Sequence, residues 1–529
     1  MSIDASLDPS LDTSLVKSIS HRTPDTDDQY RALLRSLRRR KGFGLIFIQA
    51  APAKATELIA QVRQDLPQKH IEVLQLEQPI DKLLPLIEQL PDRDKINILF
   101  IQGIERSLTD YIRPGYGGQG DYYTLDTVPP ILSHLNQQRD SLRDRFPHLC
   151  FVFVLPRFAL KFFIHRAPDF FDWRAGIYDF PSDGEILMQS SEQVLAAGDY
   201  NQYLSLSHAE RLDQIHAIQA LLDEPSLPVD KRVSLWLEQG LVWAVDRAYE
   251  LALTCFNQAI HYKPDYHEAW YNRGNALFDL GRFEDAISSY DHALEIKSDD
   301  HEAWYNRGLA LSALGRSEEA ISSYDHALEI KLTYHKAWIS RGVALFGLGR
   351  PKEAISSYDR ALKIKSDDHQ AWYNRGVALS DLGHKEEAIS SYEQAIEIKP
   401  DKYNAWYNRG DVLQELGRYE EALASYDRAI ALKSDYHFPH KNRGTVLMQL
   451  GRYDEALTSF DCAIALKPDY ATAHYNKARC LALQGNIAAT VETLQQAIAL
   501  KPDYRDLAQM EADFDRVRSD ERFQSLIEA

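Results

Sequence analysis

A chain of 529 residues, 44% hydrophobic and 26% charged, is too long for one hydrophobic core and reads as two or more folded domains. The net charge of −18, heavier in residues 233–529 than in 1–232, argues against nucleic acid as the main partner. No apolar run is long enough to span a membrane. In chain order, residues 1–28 lack the basic start and apolar block of a secretory signal and read as a polar, disordered leader. The four cysteines (Cys150, Cys255, Cys462, Cys480) have no CxxC spacing, which is the expectation for buried reduced thiols in a cytoplasmic protein.

Residues 29–182 open with a basic helix, Tyr30–Gly42, carrying Arg35, Arg38, Arg39, Arg40 and Lys41. Apolar strands follow at Gly44–Gln49, Ile71–Leu76, Ile96–Gln102 and Cys150–Pro156, separated by helices at 55–66, near Pro85 and at 129–145. Continuous apolar strands alternating with helices predict a parallel sheet covered on both faces. A Gly/Tyr-rich loop, Arg113–Thr124, is expected to be mobile and has too few acids and ligands to be catalytic.

This arrangement, with FFIHRAPDFFDW (Phe162–Trp173) after it, resembles the P-loop NTPase fold, in particular the signalling (STAND/AAA-like) ATPases that carry a sensor of helical repeats. The resemblance implies a nucleotide-driven switch, but the chemistry departs from it. After the first strand such a protein reads GxxxxGK[ST], glycines letting backbone N–H groups wrap the phosphates. This chain reads QAAPAKATEL: Lys54 and Thr56 remain as remnants, no glycine precedes them, and Pro52 removes an N–H. The third strand ends at Gln102, where an acid for Mg²⁺ is expected, with Glu105 beyond. The reading is a degenerate, non-hydrolysing domain with no catalytic residue, metal ligand or cofactor assigned.

Residues 183–232 read as a helical linker, closed by EPSLPVD (Glu224–Asp230), whose prolines stiffen the junction. From 233 to 504 the chain repeats at 34 residues in eight units. AWYNRG begins at Ala269, Ala303, Ala371 and Ala405, with near-copies at Ala337 and Pro439. In the register His267–Asp300, Trp270, Gly274, Leu277, Ala286, Tyr290 and Ala293 hold positions 4, 8, 11, 20, 24 and 27. This pattern resembles the tetratricopeptide repeat and implies an all-α solenoid of helical hairpins: helix A over about positions 1–14, a Leu-Gly-Arg turn, and helix B over about 17–31. In the first unit Arg247 replaces the turn glycine, and the last unit is weaker, as end repeats are. Residues 505–529 read as a polar capping helix followed by a short helix.

The Trp at position 4 is expected to be core. In this family the residues of helix A facing away from helix B line a concave surface, so the resemblance places Asn272, Asn306, Asn374, Asn408, Asn442 and Asn476 (position 6, interrupted by Ser340) in a ladder. Tyr271, Tyr305, Tyr373 and Tyr407 stand beside it at position 5, a stripe that Lys441 breaks. A side-chain amide donates and accepts, matching a peptide backbone whatever its sequence. The ladder resembles that of the O-linked N-acetylglucosamine transferases, although no transferase domain follows. The alternative is that these amides bond neighbouring helices and set repeat pitch. The carboxylate clamp of chaperone-binding repeats needs Lys and Arg at positions 2, 5 and 6, where this chain has Glu268, Tyr271, Asn272, Glu302, Tyr305 and Asn306. Arg at position 7 (Arg273, Arg307, Arg341, Arg375, Arg409, Arg443) is read as structural. The histidines that open units (His267, His301, His335, His369, His437) are read as solvated helix starts, too far apart to share a metal. The function expected is a scaffold binding an extended peptide or partner surface, with the α/β domain for recruitment or regulation. The alternatives are an NTPase switch and a fixed subunit of a larger assembly.

Overall fold

The computed structural model describes residues 26–108, 111, 128–196, 198 and 200–528. The Arg113–Thr124 loop and all but the last three residues of the expected leader lie outside these; residues 26–28 already form the first turn of a helix. The chain divides into two compact units, Met1–Ser298 and Asp299–Ala529.

In the first unit a five-stranded parallel sheet has the order β2-β3-β4-β1-β5, with β1 Gly44–Ala50, β2 Ile71–Gln75, β3 Ile98–Gln102, β4 Cys150–Leu155 and β5 Arg174–Phe180. Strands β1 and β4 are apolar and buried almost throughout because helices cover both faces. Helices α1 (Thr26–Arg39) and α2 (Pro52–Asp65) bury Leu33, Leu37, Leu58 and Val62 on one face. Helices α3 (Leu84–Glu88), α4 (Pro130–Arg145), α5 (Arg157–Arg166) and α6 (Pro168–Phe171) bury a Phe-rich core on the other, where Phe47, Phe153, Phe163 and Phe170 meet. Strand β5 is absent from the sequence reading. RAGIYDF carries Arg, Gly and Asp, and its half-exposed edge position needs no continuous apolar run.

Helices α7 (Gly184–Ala196), α8 (Tyr200–Ser205) and α9 (His208–Leu222) follow, α9 opened by a capping box in which Ser207 and Glu210 bond reciprocally. Two helical hairpins complete this unit: Val229–Val245 with Tyr249–Tyr262, and His267–Asp279 with Phe283–Ile296. The segment before the hairpins packs as part of the fold. Gln239 Nε2 donates to Gln219 Oε1 (3.1 Å), and the Cys255 thiol donates to Gln239 Oε1 (3.4 Å), all three residues being buried.

The second unit is helical throughout: six hairpins opening at His301, His335, His369, Tyr403, His437 and Ala471, then Tyr504–Met510 and Glu521–Glu528. Each A helix covers positions 1–13 and each B helix 17–30, close to the expectation. The turn glycines Gly315, Gly349, Gly383, Gly417, Gly451 and Gly485 have φ between 72° and 79°, the left-handed conformation that ends helix A. Arg247, in the same place in the first hairpin, adopts φ 60°. The tail is less polar in effect than its sequence. Ala508, Phe514, Val517, Phe523 and Ile527 are buried against Tyr475, Leu494, Ala497 and Ile498 of the last hairpin.

Candidate functional site

Strands β1 and β4 are neighbours whose following helices, α2 and α5, lie on opposite faces of the sheet, so a crevice opens at their C-terminal ends, where open α/β sheets bind ligands. Lys54 and Thr56 lie in the first turns of α2, which follows β1, and both are engaged. Lys54 Nζ bonds Asp183 at 2.7 Å and Glu57 at 3.0 Å, and the Thr56 hydroxyl donates to Pro52 O of its own helix. The crevice is lined by Gln49, Arg157, Asp179, Asp223 and Glu224 and encloses about 20 Å³, room for about one water. Gln49 Nε2 donates to Asp179 Oδ1 at 2.7 Å, and the Ser182 hydroxyl donates to Glu224 at 2.8 Å. Three carboxylates against one arginine make a poor cradle for phosphate, and burial raises the pKa of all three.

Asp223 is the extreme case, because its Oδ2 is buried without a hydrogen-bond partner while Oδ1 accepts from Gln219 Nε2 at 2.8 Å. Burial outweighs that bond and holds its pKa above the ordinary carboxylate value. The fold therefore holds this proton more readily than the unfolded chain does. Its contribution to stability is fully present below about pH 4 and is lost as the pH rises through the folded pKa. Asp223→Asn is expected to raise stability at pH 7 by about 1 kcal/mol and to change it little at pH 4, read from denaturation midpoints at the two pH values.

In the repeats, position 8 and position 24 are one device. The Tyr290 ring lies against Gly274, and Tyr324, Tyr358, Tyr392 and Tyr426 lie likewise against Gly308, Gly342, Gly376 and Gly410. Arg at position 7 is structural, as expected, and its partners are now visible. Arg341, Arg375, Arg409 and Arg443 each donate through Nη1 to the buried Ser at position 23 of their own hairpin, at 2.7–2.9 Å. Each also pairs at 2.6–2.8 Å with the acid at position 25 of the preceding hairpin: Asp325, Asp359, Glu393 and Asp427. The 34-residue recurrence of Ser and Asp/Glu was the signal for these partners. A second ladder runs along the turns, where Arg350 and Arg418 hold Glu353 and Glu421 at 2.7 Å and reach back to Glu318 and Glu386.

Two expectations need correction. The position-4 tryptophans are half-buried. Each indole of Trp338, Trp372 and Trp406 donates to the carbonyl six residues earlier, and Arg341 and Arg375 lie over the rings of Trp338 and Trp372. The opening histidines are also half-buried, packed on tyrosine: His301 against Tyr334, His437 against Tyr470. Desolvation lowers the pKa of His335, His369 and His437. Of the cysteines, Cys150, Cys255 and Cys480 are buried and Cys462 is exposed.

The expected ladder residues fall into adjacent rows. In the second unit Tyr305, Tyr373, Tyr407, Asn306, Asn374 and Asn408 are half-exposed, whereas Asn442 and Asn476 are buried. Asn408 Nδ2 donates to the Tyr373 hydroxyl of the preceding hairpin at 3.1 Å, and Asn442 Nδ2 to that of Tyr407 at 3.3 Å. Asn374 accepts from Gln370 of its own helix, and Asn476 donates to Thr445 of the preceding hairpin. In the first unit Tyr271 and Asn272 are half-exposed, and Asn272 donates to Glu268 O.

Position 9 forms a third row. Leu309, Val343 and Val377 give way to Asp411, with Val343 51% exposed. Asp411 Oδ1 accepts from the Tyr426 hydroxyl (2.7 Å) and from Asn442 (2.6 Å), and desolvation raises its pKa. Desolvation also lowers that of Lys441 close by. The rows thus run from apolar and aromatic to charged. Asn442→Ala is expected to cost about 1–3 kcal/mol by stripping a donor from this recessed carboxylate, and Asn374→Ala less than about 0.5 kcal/mol; paired urea titrations measure both.

Comparison with known proteins bears on the repeats. Residues 248–281 and 274–315 match a family described as TPR repeat, and residues 301–334, 339–401, 373–437 and 441–505 match families described as tetratricopeptide repeat. No curated protein sequence matches the chain. Among solved structures it is similar to YrrB, described as a TPR protein with an unusual peptide-binding site, at 27% identity over 35% of this chain and 95% of that one, with TM-score 0.32. It is similar to MamA at 22% identity over 31% and 96%, with TM-score 0.30. A tetratricopeptide repeat protein from Parabacteroides merdae is 17% identical over 46% and 97%, with TM-score 0.36. The helical hairpins of this chain are a run of tetratricopeptide repeats, joined to an N-terminal parallel-sheet domain.

Proposed function

We propose that the repeats act as a scaffold that captures an extended segment of a partner protein along the rows at positions 5, 6 and 9. The observation that carries this reading is the surface of the second unit. Half-exposed Tyr305, Tyr373 and Tyr407 alternate with amides beside the exposed Val343, which offers ring faces and apolar contact to side chains and hydrogen bonds to a backbone. The amides that bond the preceding hairpin, Asn408, Asn442 and Asn476, also fix repeat pitch, so the contact role falls chiefly on the tyrosines and Asn374. Selection of a displayed random-peptide library on the full chain, repeated with Tyr373→Ala/Tyr407→Ala, tests it. Peptides that enrich on the native chain and are lost by the variant support capture; peptides retained equally by both place binding elsewhere.

The α/β domain serves recruitment or regulation in this reading, as a degenerate relative of the nucleotide-binding fold without hydrolysis. The engaged Lys54, the glycine-free loop and the acidic crevice support that assignment. Calorimetric titration with ATP and Mg²⁺, with phosphate release followed in parallel, tests it separately. Micromolar binding would put the nucleotide-switch reading ahead.

A further inference from the structure

Helix α1 is amphipathic. Leu33 and Leu37 are buried in the sheet domain, and Arg31, Arg35, Arg38 and Arg39 are exposed, followed by exposed Lys41. Arg35, Ser36, Arg39 and, just past its end, Arg40 share one open face of the helix. Lys69 joins this surface, its Nζ donating to Arg40 O at 2.9 Å, while Arg40 itself donates to Phe43 O at 3.1 Å. Asp28 approaches Arg31 at 3.8 Å at the other end of the helix, and Asp65 accepts from the Tyr30 hydroxyl. Among the described residues, Arg35, Arg38, Arg39 and Lys41 have no hydrogen-bonding or ion-pairing partner. The repeats treat arginine differently: Arg341, Arg350, Arg375, Arg409, Arg418 and Arg443 all hold acids at 2.6–2.8 Å. Like charges at spacings of three and four on one helix face repel, so α1 keeps a local electrostatic cost that an anion would relieve.

We infer that this face of α1 docks an acidic segment of a partner protein, bound extended, with carboxylates at alternate positions. Arg35 and Arg39 are about 6 Å apart along the helix axis, and alternate side chains of an extended strand are about 6.6 Å apart, so each guanidinium fork meets one carboxylate. A membrane is a poorer match, because the apolar side of the helix is turned into the core and leaves nothing to insert. A polynucleotide is also poorer, since it would bring a long line of charge against a chain of −18. The inference rests on the recruiting role given to the α/β domain and makes no use of the repeat rows, so the library selection can fail without affecting it.

The test is fluorescence anisotropy of the full chain with a labelled eight-residue peptide alternating glutamate and serine. The expected result is saturable binding that weakens with salt and falls at least about tenfold in Arg35→Glu/Arg39→Glu. The control pair Lys363→Glu/Arg428→Glu carries the same charge change on exposed repeat positions and should leave binding within about twofold. Circular dichroism of each variant confirms the fold. No binding, or equal loss in both pairs, overturns the proposal. So does tighter binding of a single-stranded oligonucleotide, or of phosphatidylserine-containing vesicles, at the same salt.

Discussion

Valine in place of Gly342 is expected to cost the repeat array about 3 kcal/mol, whereas alanine in place of Gly347, five residues on in the same helix, should stabilise it by about 0.5 kcal/mol. A Cβ at Gly342 would sit 2.4 Å from Cε1 of the Tyr358 ring, and that ring is itself 2% exposed, with no solvent to retreat into. The hairpin would have to open, loosening the A–B contact on which both neighbours stack. Gly347 meets nothing within 4 Å, so a methyl group there only removes the entropic penalty of glycine near a helix end. Guanidinium denaturation followed by circular dichroism gives both shifts. Equal midpoints for the two variants would mean that close approach of helix to aromatic ring is not what holds the hairpin.

Deletion of residues 505–529 is expected to have the second large effect. The tail buries Phe514, Val517, Phe523 and Ile527, and its removal bares Tyr475, Leu494 and Ile498 on the last hairpin. Burying one large apolar side chain is worth roughly 1.5–3 kcal/mol, partly offset by the entropy of ordering the tail. The truncated chain should lose amide protection across residues 471–504 while keeping it in 369–436, and it should self-associate through the bared face. Hydrogen exchange and size-exclusion chromatography read the two consequences. Protection unchanged at 471–504 would show that the last hairpin is stable uncapped.

The repeats were legible because each unit states its helix period, its turn glycine and its small residues several times over. Gly308, Ala320 and Gly315 needed only a count of 34 to be placed. The capping helices of the tail were legible, but the depth of their burial was not, because the apolar residues are dilute among charges and only folding gathers Phe514 and Phe523 onto one surface. Strand β5 escaped for a related reason: an edge strand half in water carries no continuous apolar run. The Asn ladder divides on a matter invisible to periodicity. Asn374 and Asn442 hold the same position, but the second lies beside Asp411, a substitution nine residues into the preceding unit that turns a surface amide into a buried one. The remnant Lys54 was visible as a residue, but its captors, Glu57 and Asp183, include one 129 positions away.

The Arg375–Asp359 pair has a bearing on the history such a chain can have. Asp325 holds in its own unit the place that Asp359 holds in the next, and Arg341 is bound to it as Arg375 is to Asp359. If the gene lost the codons for residues 335–368, Arg375 would find Asp325 waiting, Asn374 would face Tyr305 as Asn408 faces Tyr373, and the new seam would be as well bonded as the two it replaced. Length in this array is thus a quantity that recombination can change in whole steps without first passing through an unfolded product.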